Sequence, residues 1–425
     1  MQVKQSVAFH TLGCKLNFSE TSTLSRMLEQ EGFEKKDFND IADIYVINTC
    51  SVTENADKEC RYIVRKILQK APASSIVITG CYAQLKPKEI AEIPGVDLVL
   101  GASEKFNLGQ HLTGLVKSNQ TAHIHSCEIE DVSGFNASYS FNDRTRAFLK
   151  VQDGCDYNCS FCTIPMARGK SRSDNVENVV KNAIELAGKG IKEIVLTGVN
   201  LGDFGKGDVG DSNYTENFLD LVKALDNTDA VGRYRISSIE PNLLTDEIIT
   251  HVAGSKHFMP HFHIPLQSGS NKILGLMRRR YKKELYKQRV EAIKRLMPHC
   301  AIGVDVIVGF PGETDADFDD TFQFLHDLDV SYLHVFTYSE RDNTFAVEMK
   351  EIVPVNIRNE RNKKLRNLSY MKLQYFTEQH KGTNRKVLFE IENKNGMMEG
   401  YTDNYIRIMV PFKQEWANNI MEWTI

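Results

Sequence analysis

The sequence predicts an α/β protein in three parts: an N-terminal doubly wound α/β unit, a central partial (β/α)6 barrel and a small C-terminal β barrel. Three observations carry this reading. Short β-branched runs alternate with helical patterns over residues 1–140. Six strand candidates alternate with helical patterns over residues 144–348. Beyond residue 380 only short strand patterns remain, set around Asn-Gly and Asp-Asn turns.

In the first part, Val7-Ala-Phe-His-Thr, Ile44-Tyr-Val-Ile-Asn and Ile76-Val-Ile-Thr are apolar runs that read as buried strands. Helical patterns follow over residues 20–31, stopped by Gly32, then 57–70 and 86–92. This alternation predicts a parallel sheet, and such sheets bind ligands beyond the carboxyl ends of their strands. Each strand runs into a cysteine, in Leu-Gly-Cys14, Asn-Thr-Cys50 and Thr-Gly-Cys81. Three cysteines remote in sequence are therefore expected at one edge, near helix N-termini that favour thiolates. A single cysteine there would be a buried small hydrophobe by default; the same placement on three strands points to a metal cluster. Residues 118–143 are polar and weakly patterned, and read as a linker.

In the second part the strand candidates are residues 147–152, 193–198, 234–239, 262–266, 303–308 and 332–337. The helical patterns between them cover 176–187, 215–225, 245–252, 282–296 and 316–328. An incomplete parallel barrel has an open side, which suits a macromolecular substrate, and its post-strand loops carry the chemistry. The first such loop reads Cys155-Asp-Tyr-Asn-Cys159-Ser-Phe-Cys162. This C-x3-C-x2-C spacing can place three thiolates on one [4Fe–4S] cluster. Protein clusters usually take four cysteines, so one iron would stay open to hold a small molecule and pass it an electron. The alternative is a structural zinc site, which needs four ligands; no second C-x2-C or His pair lies nearby.

The third part opens with a basic helix over residues 355–379 and breaks at Gly382-Thr-Asn. Strands are expected in Val387-Leu-Phe-Glu-Ile-Glu, Gly400-Tyr-Thr-Asp-Asn-Tyr, Ile406-Arg-Ile-Met-Val and Ile420-Met-Glu-Trp-Thr. A net charge of −4 argues against a generally basic DNA binder. Locally, residues 358–386 carry nine Lys/Arg against two Asp/Glu, and Arg278-Arg-Arg-Tyr-Lys-Lys283 is a second basic run. Such patches either hold phosphates or are solvated helix faces. No apolar run approaches the roughly 18 residues of a membrane span, and residues 1–7 show no signal-peptide core. Nine cysteines in such a chain point to reduced thiols and metal, hence to the cytoplasm. Cys60, Cys127 and Cys300 are left over and read as buried small hydrophobes.

The central triplet resembles that of the radical S-adenosylmethionine (SAM) superfamily. Two three-cysteine sites, one on an α/β unit ahead of the barrel, with a small β domain behind, resemble the methylthiotransferases over nearly the whole chain. The resemblance implies a methylthiotransferase N-terminal domain (1–140) holding an auxiliary [4Fe–4S] cluster on Cys14, Cys50 and Cys81. It implies a radical-SAM domain (141–354) whose catalytic cluster sits on Cys155, Cys159 and Cys162. A basic linker helix (355–380) and a TRAM-like RNA-binding domain (381–425) would follow. SAM would serve twice, as methyl donor and as radical source. Thr11-Leu-Gly-Cys-Lys-Leu-Asn17, Asn48-Thr-Cys-Ser-Val-Thr53 and Ile164-Pro-Met-Ala-Arg-Gly-Lys-Ser-Arg172 are similar to the branch acting on N6-threonylcarbamoyladenosine beside the tRNA anticodon. The implied activity is methylthiolation of C2 of that base. The implied partners are the tRNA anticodon stem-loop and an electron donor such as flavodoxin or ferredoxin.

The superfamily further suggests SAM contacts at Gly198 and Asn200, at Glu240, at Gln267 and at Gly309. RNA contacts are expected from Arg168, Arg172, Tyr401, Tyr405 and Arg407. Plain βα turns, helix caps and barrel packing are the competing readings. His257, His261 and His263 do not share one strand face, so structural or SAM-proximal roles are expected rather than a metal site. Three other functions compete: methylthiolation of isopentenyladenosine, methylthiolation of a ribosomal-protein aspartate, and an iron–sulfur electron carrier or RNA-binding module without turnover.

Overall fold

The structure is a computed structural model that describes residues 4–51, 54–118, 121–206 and 216–425. Val52 and Thr53 of the second cysteine motif and Thr215, expected to open a helix, lie outside the described residues.

The first part contains β1 (Ser6–Thr11), α1 (Lys15–Gln30), β2 (Glu34–Lys36), β3 (Ile44–Thr49), α2 (Glu54–Lys70), β4 (Ser75–Gly80), α3 (Cys81–Leu85), α4 (Pro87–Ala91), β5 (Leu98–Leu100), α5 (Leu108–Leu112) and β6 (His123–His125). Its six strands are parallel in the order β2-β1-β3-β4-β5-β6. Strand alternation sends Val7, Ile44, Val46 and Val77 to one face, against Leu24 and Leu28 of α1 and Leu108 of α5. Ala8, Tyr45, Ile47 and Ile78 face the other way, onto Ile63 and Val64 of α2 and Ile90 of α4. Both faces are buried, which makes the sheet doubly wound and accounts for the continuous apolar runs. The order reverses between β1 and β3, and the crevice of such a sheet opens beyond the strand ends at that point. β2 (Glu-Lys-Lys) and β6 (His-Ile-His) are short polar edge strands with no buried face to pattern them. β6 lies inside the stretch expected to be a linker, so that stretch is partly a sheet edge.

The central part runs through β7 (Ser138–Tyr139), β8 (Ala147–Lys150), β9 (Gln152–Asp153), α6 (Ile164–Arg168), β10 (Arg172–Ser173), α7 (Val176–Gly188), β11 (Glu193–Thr197), α8 (Phe218–Asp226), β12 (Arg233–Ile236), α9 (Asp246–Gly254), β13 (His261–His263), α10 (Asn271–Leu276), α11 (Lys283–Leu296), β14 (Ala301–Val308), α12 (Asp315–Asp327) and β15 (Tyr332–Thr337). Parallel ladders join β8-β11-β12 and β13-β14-β15, and the bridges Tyr234–Phe258 and Ser238–His263 connect the two groups. Among the described residues no ladder joins β8 to β15, so the six-stranded barrel is open. Leu196, Ile236, Phe262 and Val304 pack outward onto Leu221 of α8, Ile249 of α9, Tyr286 of α11 and Leu325 of α12. Reciprocal capping boxes, Asn217 with Asp220 and Thr314 with Asp317, fix the starts of α8 and α12.

The basic helix α13 (Val355–Glu378) packs along β15, with Leu365 and Leu368 buried. It is less of a basic surface than its composition suggests. Arg358 pairs with Glu340 and Arg361 with Glu313, each at 2.6 Å, leaving Lys363, Lys364 and Arg366 exposed. Strands β16 (Asn384–Phe389), β17 (Met397–Thr402), β18 (Arg407–Pro411) and β19 (Ile420–Thr424) form an antiparallel sheet, ordered β18-β17-β16-β19, over Val387, Phe389, Met398 and Val410. The expected small barrel is thus a four-stranded sheet without a closing ladder among the described residues. It docks on β12: Arg233 donates to Lys386 O at 2.6 Å, and Arg235 to Thr402 O at 2.7 Å.

Candidate functional site

Cys14 is the N-cap of α1, Cys81 the first residue of α3, and Cys50 follows β3, so the three cysteines stand at one sheet edge. Two glycines let their loops close in. Gly13 (φ 98°) and Gly80 (φ 101°) hold the left-handed conformation that other residues rarely adopt. A Cβ on Gly13 would stand 2.8 Å from the Cys50 sulfur, and one on Gly80 would stand 2.4 Å from Thr49 O. Asn17 ties the loops together, donating to Leu12 O and Thr49 O, both at 2.9 Å. Cys50 and Cys81 are buried and Cys14 is exposed; none is in a disulfide. Burial raises the Cys81 thiol pKa, against the field of the Arg168 and Lys105 cations, which lowers it.

The second triplet occupies the loop between β9 and α6. Each sulfur accepts one donor: Tyr157 N–H to Cys155 and Ile164 N–H to Cys162, both at 3.4 Å, and Arg279 Nη1 to Cys159 at 3.1 Å. Burial pushes the Cys155 and Cys162 thiols up to about 12. Such thiols stay protonated unless a metal displaces the proton, and neither triplet has any disulfide to consume it. Three sulfurs within electrostatic reach of one another, each offered a donor, fit an iron–sulfur cluster. The leftover Cys60 and Cys300 are buried as expected, and both are pushed up to about 12 by burial. Cys127 differs in being half-buried.

A buried ionic knot locks the two triplets together. Glu20 of α1 meets Lys105 at 2.7 Å, Lys150 of β8 at 2.9 Å and Arg168 of α6 at 3.1 Å. Asp153 meets Lys150 at 2.7 Å, Arg168 at 2.9 Å and Arg172 at 3.2 Å. Arg168 also donates to Asn17 Oδ1 at 2.5 Å. One guanidinium therefore joins the helix that follows the barrel cysteines to the side chain that ties the Cys14 and Cys50 loops. Despite their burial, the surrounding cations hold the Glu20 and Asp153 carboxyls well below the usual range. Across the same seam Arg341 reaches Ser51 Oγ at 2.5 Å and Asp57 at 2.8 Å. Sequence reasoning missed Glu20, Lys105, Lys150, Asp153 and Arg341; Asn17, Arg168 and Arg172, which lie within quoted motifs, carried a signal.

The expected SAM contacts all lie beyond the carboxyl ends of barrel strands, on the rim that bears Cys155–Cys162. Gln152 Oε1 accepts from Val199 N and Asn200 N, both at 2.9 Å, pinning the turn that contains Gly198. Asn200 Oδ1 is buried without a partner among the described residues. Glu240 is ion-paired with Arg279, so part of the basic run 278–283 serves the cysteine loop. Gln267 (φ 68°) lines a 220 Å³ cavity with Cys162 and Asp305. Gly309 turns the other way: its missing side chain is filled by Arg358 of α13, 2.3 Å from where a Cβ would be.

The residues expected at RNA sit differently. Arg168 is 5% exposed, inside the ionic knot, and Arg172 pairs with Asp153 and donates to Arg168 O at 2.6 Å. Tyr405 stacks on His261 at 4.3 Å, and Arg146 lies 4.6 Å over Tyr401, so both rings face the barrel. Arg407 is exposed and pairs with Glu399 at 3.2 Å. The three histidines do not converge: His257 pairs with Asp229, His261 bonds Tyr332 and His263 bonds Asp305, each at 2.8 Å. His263 and Asp305 do form a compact trio with His334.

Residues 6–101 match the family described as "Uncharacterized protein family UPF0004", and residues 149–325 match the Radical SAM superfamily. The threonylcarbamoyladenosine tRNA methylthiotransferase MtaB of Bacillus subtilis is 39% identical over 98% of this chain and 93% of its own length. Its namesake from Aquifex aeolicus is 40% identical over 95% and 96%. A tRNA-2-methylthio-N(6)-dimethylallyladenosine synthase of Clostridium botulinum is 33% identical over 83% and 78%. In fold, the radical S-adenosylmethionine methyltransferase TsrM of Kitasatospora setae superposes with a TM-score of 0.55 at 14% identity, over 93% of this chain and 81% of its own. With residues 6–101 and 149–325 matched and relatives aligned over nearly its full length, the chain belongs to the radical-SAM methylthiotransferase family, in the threonylcarbamoyladenosine tRNA branch.

Proposed function

We propose that this chain is a tRNA-modifying enzyme that adds a methylthio group to C2 of N6-threonylcarbamoyladenosine beside the anticodon. The observation that carries this reading is the pairing of two three-cysteine sites, on two different α/β units, through one buried guanidinium. An electron carrier needs no such coupling of two sites. Cys14, Cys50 and Cys81 would hold an auxiliary [4Fe–4S] cluster, and Cys155, Cys159 and Cys162 the one that binds SAM. Loaded, the clusters supply an electron for SAM cleavage and a sulfur for transfer, the chemistry that an unactivated aromatic carbon demands.

The chain's own residues do the positioning. Arg279 orients Cys159 and Glu240, while Gln152 shapes the Gly198–Asn200 turn toward the SAM-binding rim. Phe148, Val195, Arg235 and His261 line the barrel lumen beside Cys14, where a splayed-out base would sit. Lys363, Lys364 and Arg366 on α13 and Arg407 on β18 offer exposed cations to the phosphate backbone. The seams 1–140, 141–354, 355–380 and 381–425 remain our division into domains. An external one-electron donor and a cytoplasmic setting complete the reading; no described helix is long and apolar enough to cross a membrane. The test weighs nucleosides from tRNA of cells with and without the gene. Loss of 2-methylthio-N6-threonylcarbamoyladenosine, restored by the wild type and not by Cys159→Ala, is expected; an unchanged profile would refute the assignment.

A further inference from the structure

One cavity of 220 Å³ opens where the first part, the barrel and the C-terminal sheet meet. Its wall holds Cys14 and four cations, Lys15, Arg144, Arg146 and Arg235, and no acidic residue. Two of these cations are already balanced: Arg235 by Glu193 at 2.7 Å, and Arg146 by Glu390 at 2.8 Å. The other two are not. Among the described residues the side chains of Lys15 and Arg144 make no hydrogen bond and no ion pair; Arg144 lies over the Phe18 ring at 4.7 Å. Asp305, whose field reaches Lys15, is itself held by His263 at 2.8 Å. Both side chains are reached by solvent, and two cations on one wall with no acidic residue between them make a recess that favours an anion.

Resting on the function proposed above, we infer that this recess receives the carboxylate of the threonylcarbamoyl group, held between Lys15 and Arg144. The chemistry of the base fixes the place. C2 and the threonyl carboxylate are joined by a short chain of atoms through the ring nitrogen, C6 and the carbamoyl group. An enzyme that brings C2 into the cavity walled by Cys14 brings the carboxylate into the same cavity, since only a few bonds separate the two groups. Lys15 is the next residue, and Arg144 stands on the same wall. A hydrocarbon substituent on the base would leave both cations unpaired, so the recess would also select the acid over a neutral analogue.

The test uses the full chain with both clusters reconstituted and two labelled anticodon stem-loops. One carries N6-threonylcarbamoyladenosine and the other its neutral carboxamide. The wild type is expected to bind the acid at least about tenfold more tightly, as a charge-assisted hydrogen bond provides. Lys15→Gln and Arg144→Gln should each shrink that ratio, the double variant should bring it near one, and Lys15→Arg should keep it. Iron per chain reports whether the site is intact; should Lys15→Gln lose iron, Arg144→Gln decides, being remote from every cysteine in sequence. Equal binding of acid and amide by the wild type would overturn the inference. So would equal weakening of both loops in the variants, which marks a backbone-phosphate contact. Product formation by the wild type with SAM and a reductant is scored separately: its absence sinks the proposed function, while product with an unselective recess sinks only this inference.

Discussion

Replacing Arg168 with Gln should weaken both cysteine sites at once. The guanidinium is 5% exposed and makes four hydrogen bonds, two to Glu20, one to Asp153 and one to Asn17. Removing one partner of a buried ion pair costs about 3–5 kcal/mol, because a charge is left uncompensated. Here Glu20 keeps Lys105 at 2.7 Å and Lys150 at 2.9 Å, and Asp153 keeps Lys150 at 2.7 Å and Arg172 at 3.2 Å. Neither carboxylate is stranded, so the low end applies, about 3 kcal/mol. For a cooperative unit of about 150–250 residues that lowers Tm by about 6–12 °C. Asn17 loses the donor that holds its carbonyl, so the Cys14 and Cys50 loops slacken along with α6. The assay is a thermal melt with iron counted per chain, repeated for Glu20→Gln and the double variant. A coupling of about 1–3 kcal/mol between the two sites is expected. A Tm drop under about 2 °C with iron retained in both sites would show that the knot is solvated and that the two parts hold their cysteines independently.

Gly80→Ala should release the auxiliary iron and spare the barrel site, since the added Cβ would stand 2.4 Å from Thr49 O in a left-handed backbone; iron content measured against Cys159→Ala separates the two sites. Arg235→Met should loosen the C-terminal sheet by about 3–5 kcal/mol. It strips Thr402 O of a donor and leaves Glu193 only the longer contacts to Arg233 at 3.6 Å and Arg146 at 3.9 Å. Limited proteolysis should then free residues beyond 380 sooner than in the wild type. Mild acid should destabilise the same seam. Burial lowers the pKa of His261, His299 and His380 below the ordinary 6.5, so they are neutral when folded and charge on unfolding. The unfolded chain binds more protons there, so their contribution is complete above about pH 6.5 and is lost as pH falls below it, at up to about 1.4 kcal/mol per histidine per pH unit. Melts at about pH 7.5 and about pH 5.5 that coincide would refute this.

The sequence displayed most of what local physics writes into it. The strands of the first sheet and barrel were legible because burial on both faces leaves unbroken β-branched runs, as in Ile76-Val-Ile-Thr. The cysteine edge was legible because topology alone puts the ends of β1, β3 and β4 side by side. Edge strands such as Glu34–Lys36 were not, since a strand with no buried face has no period to read. Tyr405 looked like an RNA platform by type, and its left-handed backbone (φ 70°) and its stack on His261 turn it inward instead. Nothing in residues 401–407 records that the docking partner is a barrel strand whose arginines sit some 170 positions away.

The ionic knot shows why such contacts matter to the chemistry. Its members are two carboxylates, Glu20 and Asp153, and four cations, Lys105, Lys150, Arg168 and Arg172. The surplus is positive, and Arg168 lies close enough for its charge to act on Cys81 and Cys14. A triplet of thiolates is an anion that burial disfavours, as the raised Cys81 thiol records. A fixed positive surplus beside it offsets that cost before any iron arrives. The same cations draw α6 and the barrel cysteines toward the first sheet. One set of buried charges thus favours the thiolate form of one cysteine triplet and draws a second triplet toward it, and neither effect requires a residue that touches substrate.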